Sequence, residues 1–101
     1  MKRLVTFVVI ILSLPNIAFA VSFKAHITRK GTNRPAAQAL IVFVSTDGVE
    51  KARSITGDDG LCFIHDIPSG TYLVTVSYRD QVKEYPNFVV GPDPTTYDFD
   101  I

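Results

Sequence analysis

Two histidines, His26 and His65, are the only side chains that titrate near neutral pH. Together with Asp66 they would supply three metal ligands if their strands were neighbours. No ligand-spacing motif accompanies them, so no metal site is assigned. Asp58 and Asp59 precede Gly60 and read as a turn rather than a calcium loop, because no further spaced acidic ligands follow. Cys62 is the single cysteine, which excludes an intramolecular disulfide and a multi-cysteine zinc site. Its place in an alternating segment points it inward, as a packed thiol rather than a nucleophile. Ser69 lacks the Gly-x-Ser-x-Gly setting of a hydrolase elbow. Asp47, Glu50 and Asp66 form no glycosidase-like pair. No phosphate loop or dinucleotide fingerprint is present, so no cofactor is expected.

The elements that must position these residues read as strands. Phe23, Ala25 and Ile27 alternate with Lys24, His26 and Thr28, the period-two pattern of a half-buried strand. Residues 39–44 are a continuous apolar run, suited to a strand covered at least in part on both faces. Residues 50–56 form a weaker polar strand, and residues 61–65 a short apolar one. Tyr72, Val74, Val76 and Tyr78 alternate with Leu73, Thr75 and Ser77. Residues 88–90 make a short strand, and Tyr97, Phe99 and Ile101 alternate through the last one. Asp47-Gly48, Asp58-Asp59-Gly60, Pro68-Ser69-Gly70 and Gly91-Pro92-Asp93-Pro94 punctuate the series. Residues 35–38 and 79–83 leave room for a short helical turn. The expected fold is all-β, an antiparallel Greek-key β-sandwich of seven strands (six to eight). Phe23, Phe43, Tyr72 and Tyr78 are its expected aromatic core.

The first twenty residues differ in kind from the rest. Lys2 and Arg3 precede an apolar run from Leu4 to Leu14, Pro15 breaks it, and Ala18-Phe19-Ala20 supplies a small-x-small site. That order is a secretory signal peptide over residues 1–20, with Val21 opening the mature domain, residues 21–101. This run of eleven residues falls short of the roughly 20 that span a bilayer, so no membrane anchor is expected after cleavage. The product is expected to be exported, to a periplasm or outside the cell. The whole chain has 101 residues with 10 basic and 10 acidic side chains. Without residues 1–20 it keeps 8 basic and 10 acidic, which excludes a nucleic-acid binder driven by phosphate neutralisation.

Asp59-Gly60-x-Cys62-x-Ile64-x-x-Ile67-Pro68-x-Gly70-x-Tyr72 resembles the signature of carboxypeptidase regulatory-like domains, small prealbumin-like sandwiches related in fold to transthyretin. The resemblance spans about residues 22–80. It implies a prealbumin-like sandwich that serves as an accessory module, with Cys62 where the family usually has phenylalanine. A second resemblance lies in His26-Ile27 followed by Arg34-Pro35-Ala36, which is similar to the opening of the transthyretin-related hydroxyisourate hydrolases. It implies a catalytic role for His26, helped by Arg34. Against it, Asn33 replaces the usual turn glycine, and the C-terminal Tyr-Arg-Gly-Ser and its nearby histidine are missing, leaving acid–base chemistry without partners.

If Ala39, Ile41 and Phe43 point inward, Leu40, Val42 and Val44 point outward, as do Leu61, Phe63 and Leu73. These six are the candidate binding residues, since a contiguous apolar surface marks an interface. The sequence therefore reads as an exported, non-catalytic module that binds a partner protein, a surface or another copy of itself. A divergent hydrolase using His26 is the alternative, and a structural subunit pairing through a free strand edge is a third reading. No small-molecule ligand is indicated.

Overall fold

The computed structural model describes residues 20–92 and 95–101. The expected signal peptide, residues 1–20, lies outside them except for Ala20, and so do Asp93 and Pro94 of the last predicted turn. Seven strands carry the fold: β1 (Ala20–Thr28), β2 (Leu40–Ser45), β3 (Glu50–Ile55), β4 (Leu61–Pro68), β5 (Gly70–Tyr78), β6 (Gln81–Val90) and β7 (Thr96–Asp100). They form two sheets, ordered β4-β1-β7 and β3-β2-β5-β6. No helix occurs among the described residues.

Alternation places the inner faces. Phe23, Ala25 and Ile27 of β1 and Cys62, Ile64 and Ile67 of β4 meet Ile41 and Phe43 of β2 and Tyr72, Val74, Val76 and Tyr78 of β5. Phe43 packs edge-on against Phe23 and Tyr72, with ring centroids 5.7 and 6.0 Å away. Each fully buried Ile, Val or Phe is worth about 1.5–3 kcal/mol over an exposed one. Cys62 sits in this core with its thiol pushed up by burial, so it packs as an inert small hydrophobe.

Every strand pair is antiparallel except β1 and β7, which run parallel from Lys24 opposite Thr96 to Thr28 opposite Asp100. This corrects the purely antiparallel expectation. β6 ends opposite Gly70, beside the end of the molecule where β1 begins. The short connection onward delivers β7 to β1 at that same end, so the two strands run in the same direction.

Two bulges explain what strict alternation misses. In β4, Asp66 takes a left-handed conformation, and the inward series passes from Ile64 to Ile67 instead of Asp66. In β6, Asn87 does the same, and the inward positions shift from Lys83 and Tyr85 to Phe88 and Val90. β6 therefore spans ten residues rather than the three expected. Residues 79–83 form no helical turn: Tyr78 pairs with Gln81 across Arg79 and Asp80.

Gly60 ties the turns to the core. Its φ is +77°, and a Cβ there would lie 2.6 Å from the Ile27 carbonyl and 3.0 Å from Pro35. The Gly60 carbonyl accepts the Ile27 N–H at 2.8 Å. Only glycine meets both demands. Nearby, the buried Thr56 hydroxyl donates to the Ala36 carbonyl and accepts the Ala39 N–H at 2.9 Å, locking the 35–39 segment onto the end of β3. The Tyr72 hydroxyl reaches back to the Pro68 carbonyl, which accounts for the Pro-x-Gly-x-Tyr spacing. On the opposite side Tyr85 closes the sandwich. Its hydroxyl donates to Asp100 at 2.7–2.8 Å and accepts the Asp100 N–H at 2.9 Å, while Lys83 pairs with the same carboxylate.

Candidate functional site

The six outward apolar residues do not share one surface. Leu40, Val42 and Val44 of β2 and Leu73 of β5 lie on the outside of the four-stranded sheet. Leu61 and Phe63 of β4 lie on the outside of the three-stranded sheet, on the other side of the molecule. The single patch read from parity is corrected: β2 and β4 belong to different sheets, and parity distinguishes inside from outside without saying which outside.

On the four-stranded sheet the register lays out rows across the strands. One row runs Ile55, Leu40, Ser77, Val82 from β3 to β6. The next runs Arg53, Val42, Thr75, Glu84. In the third, Val44 stands beside Leu73. Ile55 and Val82 are 62% and 66% exposed, and Val89 continues the apolar surface past the β6 bulge. Strand residues whose neighbours face the core project here by the pleat alone. Arg53 donates from Nε and Nη2 to both Glu50 carboxylate oxygens at 2.8 and 2.6 Å, which raises the guanidinium and lowers the carboxyl from their ordinary values. Glu84 has no ion-pair partner among the described residues. Ile55, Val82, Val89, Arg53 and Glu84 were not singled out in the sequence. Ile55 and Arg53 sit in the polar 50–56 strand, and the other three lie in β6, whose pattern the bulge interrupts.

The outside of the three-stranded sheet is different. His26 donates from Nδ1 to Asp98 at 3.3 Å across the β1–β7 pair. Phe63 stacks on His65, centroids 5.7 Å apart and planes 15° from parallel, and Lys24 Nζ stands 5.4 Å from the Phe63 ring. A shallow depression of about 400 Å³ beside them is bounded by Ser22, Lys24, Phe63, His65, Thr95 and Thr96. His26 pairs opposite Leu61, four residues before His65 along β4, so the two histidines occupy separate rungs. No three metal-ligating side chains converge among the described residues. Arg34 lies in the loop beyond β1, where its carbonyl accepts the Arg29 N–H at 2.8 Å, and His26 bonds to Asp98 instead. In that loop Asn33 has φ +57°, the left-handed geometry that glycine or asparagine tolerates.

No protein-family model and no curated protein matches the chain. Two solved structures are similar in fold. One is fervidolysin from Fervidobacterium pennivorans, a keratinolytic enzyme related to subtilisin, at 19% identity and a TM-score of 0.66, over 86% of this chain and 17% of that one. The other is a type II cohesin–X-dockerin complex from Acetivibrio cellulolyticus, at 21% identity and a TM-score of 0.58, over 77% of this chain and 52% of that one. The chain thus spans about half or less of each protein it resembles, and the likeness is one of fold.

Proposed function

We propose that this chain is an exported, non-catalytic β-sandwich module, of the carboxypeptidase regulatory-like or transthyretin-like kind, that binds a partner protein through the outside of its four-stranded sheet. The observation that carries this reading is the set of apolar rows centred on Leu40, Val42, Val44 and Leu73 and extended by Ile55 and Val82. A regular sheet face of aliphatic side chains offers apolar burial on a pre-organised backbone, which lowers the ordering cost of association. The roles of Gly60 and Tyr72 support the family resemblance, because each meets a geometric need of its motif. The similar cohesin–X-dockerin structure is itself a complex, so a sandwich of this shape is compatible with partner binding. Against a hydrolase, His26 stands on a strand face and is paired with Asp98. Export rests on the signal-peptide order of residues 1–20.

The test is affinity capture of a tagged chain from its own export compartment. Val42→Glu should lose the captured partner, and Phe63→Glu, on the opposite face, should keep it. Equal loss from both variants, or none from Val42→Glu, would refute this face as the binding site.

A further inference from the structure

We infer that the partner on this face is a second copy of the chain, packed face to face about a two-fold axis that runs along the strands between β2 and β5. The inference rests on the binding reading above and names its partner.

A two-fold axis lying in the contact plane makes an isologous interface, in which every contact occurs twice. If the axis runs along the strands between β2 and β5, it sets β3 of one copy over β6 of the other, and β2 over β5. Arg53 then faces Glu84 of the second copy, because both stand on the same row at opposite edges of the sheet. On the next row Ile55 faces Val82 of the second copy, apolar against apolar. On the third, Val44 faces Leu73 of the second copy. The remaining central positions set Leu40 against Ser77 and Val42 against Thr75, aliphatic groups against the two small hydroxyl side chains of β5. The other in-plane axis, across the strands along the Val42–Thr75 row, would set Arg53 on Arg53 and Glu84 on Glu84. Like charges so placed disfavour that packing. Glu50, opposite Val44 on the same face, is paired with Arg53 and falls over the uncharged Pro86–Asn87 bulge of the second copy about the first axis, so the face is self-complementary about that axis, while the unpaired Glu84 carboxylates meet about the other. Arg53 is held by Glu50 within its own copy, so it reaches the interface already oriented, with its Nη1 donors uncommitted.

Size sets the strength. Four strands about 4.8 Å apart and six residues at about 3.3 Å each give a flat footprint of about 400 Å² per copy. A standard stable interface buries about 800 Å² on each side. The dimer should therefore exchange, with a dissociation constant in the high micromolar range. Sheet twist would cross the strands of the two copies by about 30°, which leaves the positions near the axis in register and displaces Arg53 from Glu84 at the edges by about one residue along the strand, within reach of these two long side chains.

Sedimentation equilibrium of the exported protein, from about 10 µM to 1 mM, reads this range. The wild type should rise toward twice the monomer mass. Arg53→Glu and Glu84→Arg should each weaken association at least tenfold. An equimolar mixture of these two variants should associate again. In the mixed pair the carboxylate introduced at position 53 of one chain meets the guanidinium introduced at position 84 of the other. At the symmetry-related contact the native Arg53 and Glu84 still meet. The same mixture shows that both variants are folded. A wild type that stays monomeric throughout, a dimer indifferent to both variants, or a mixture that does not recover would each overturn the inference. A monomeric wild type that still captures a different protein through Val42 would sink the self-pairing alone. A monomer that captures nothing would sink the binding reading as well.

Discussion

Outside the four-stranded sheet the chain displays Leu40, Val42, Val44, Leu73, Ile55 and Val82, with the Arg53–Glu50 pair at the β3 edge and Glu84 at the β6 edge. Outside the three-stranded sheet it displays Lys24, His26, Phe63, His65 and Asp98. Both surfaces arise from the same pleat and are backed by the same core. They differ in what each outward side chain has for company. On the three-stranded sheet the polar groups are occupied with one another: His26 with Asp98, His65 with the Phe63 ring, and Lys24 over that ring. On the four-stranded sheet the central side chains are aliphatic apart from the small hydroxyls of Thr75 and Ser77, and Ile55 and Val82 are mostly exposed. Outward parity alone does not make a binding face. Contiguity of side chains that gain nothing from water does.

The largest expected effect removes both faces together. Gly60→Ala drives a Cβ into the Ile27 carbonyl and forces a left-handed alanine, and should cost about 2–4 kcal/mol in denaturant unfolding. A loss below about 0.5 kcal/mol would mean the 58–60 turn yields more readily than its packing indicates. Next comes the matched pair of Val42→Glu and Phe63→Glu. The first should weaken partner binding at least tenfold, about 1.4 kcal/mol, and the second should leave it unchanged. Tyr85→Phe should cost about 1–2 kcal/mol, because it strands the Asp100 N–H that the hydroxyl satisfies. It should do so without altering binding, since Tyr85 lies at the seam between the sheets.

A smaller effect is confined to acid. The Asp100 carboxyl is held below the usual carboxylate range, first by the hydrogen bond from Lys83 and then by that from Tyr85. A depressed folded value stabilises the protein above the unfolded value of about 3.9. That contribution is lost as pH falls through the folded value. Asp100→Asn should therefore flatten the acid limb of a stability–pH curve below about pH 4 and leave its slope at neutral pH alone. The smallest effect belongs to His26→Ala. It should leave both stability and partner binding within error. Were the protein to accelerate the decay of freshly made hydroxyisourate, and His26→Ala to abolish that, the three-stranded face would become the functional one.

The core was legible because period two is a local property. Phe23, Ala25, Ile27, Ala39, Ile41, Phe43, Cys62, Tyr72, Val74, Val76 and Tyr78 all point inward as their alternation requires. β6 was not legible beyond its last three residues, because the bulge at Asn87 resets the parity and the strand lies at a sheet edge where alternation is weak. The parallel β1–β7 pair and the division of the outward residues between two surfaces depend on sheet membership. No local pattern encodes that. Thr56 was hidden for another reason. A threonine ending a polar strand resembles an exposed one, and only the return of residues 36–39 across it supplies the carbonyl and N–H that permit its burial.

The central claim, that the four-stranded sheet presents the binding face, is tested most directly by site-specific photo-crosslinking in intact cells that produce the protein. One photoreactive side chain is placed at Val42 and, separately, another at Thr96 on the opposite sheet. Position 42 should give a discrete adduct and position 96 none. That adduct should have twice the chain's mass if the second-copy inference holds. A discrete adduct from position 96 with none from position 42 would contradict the account.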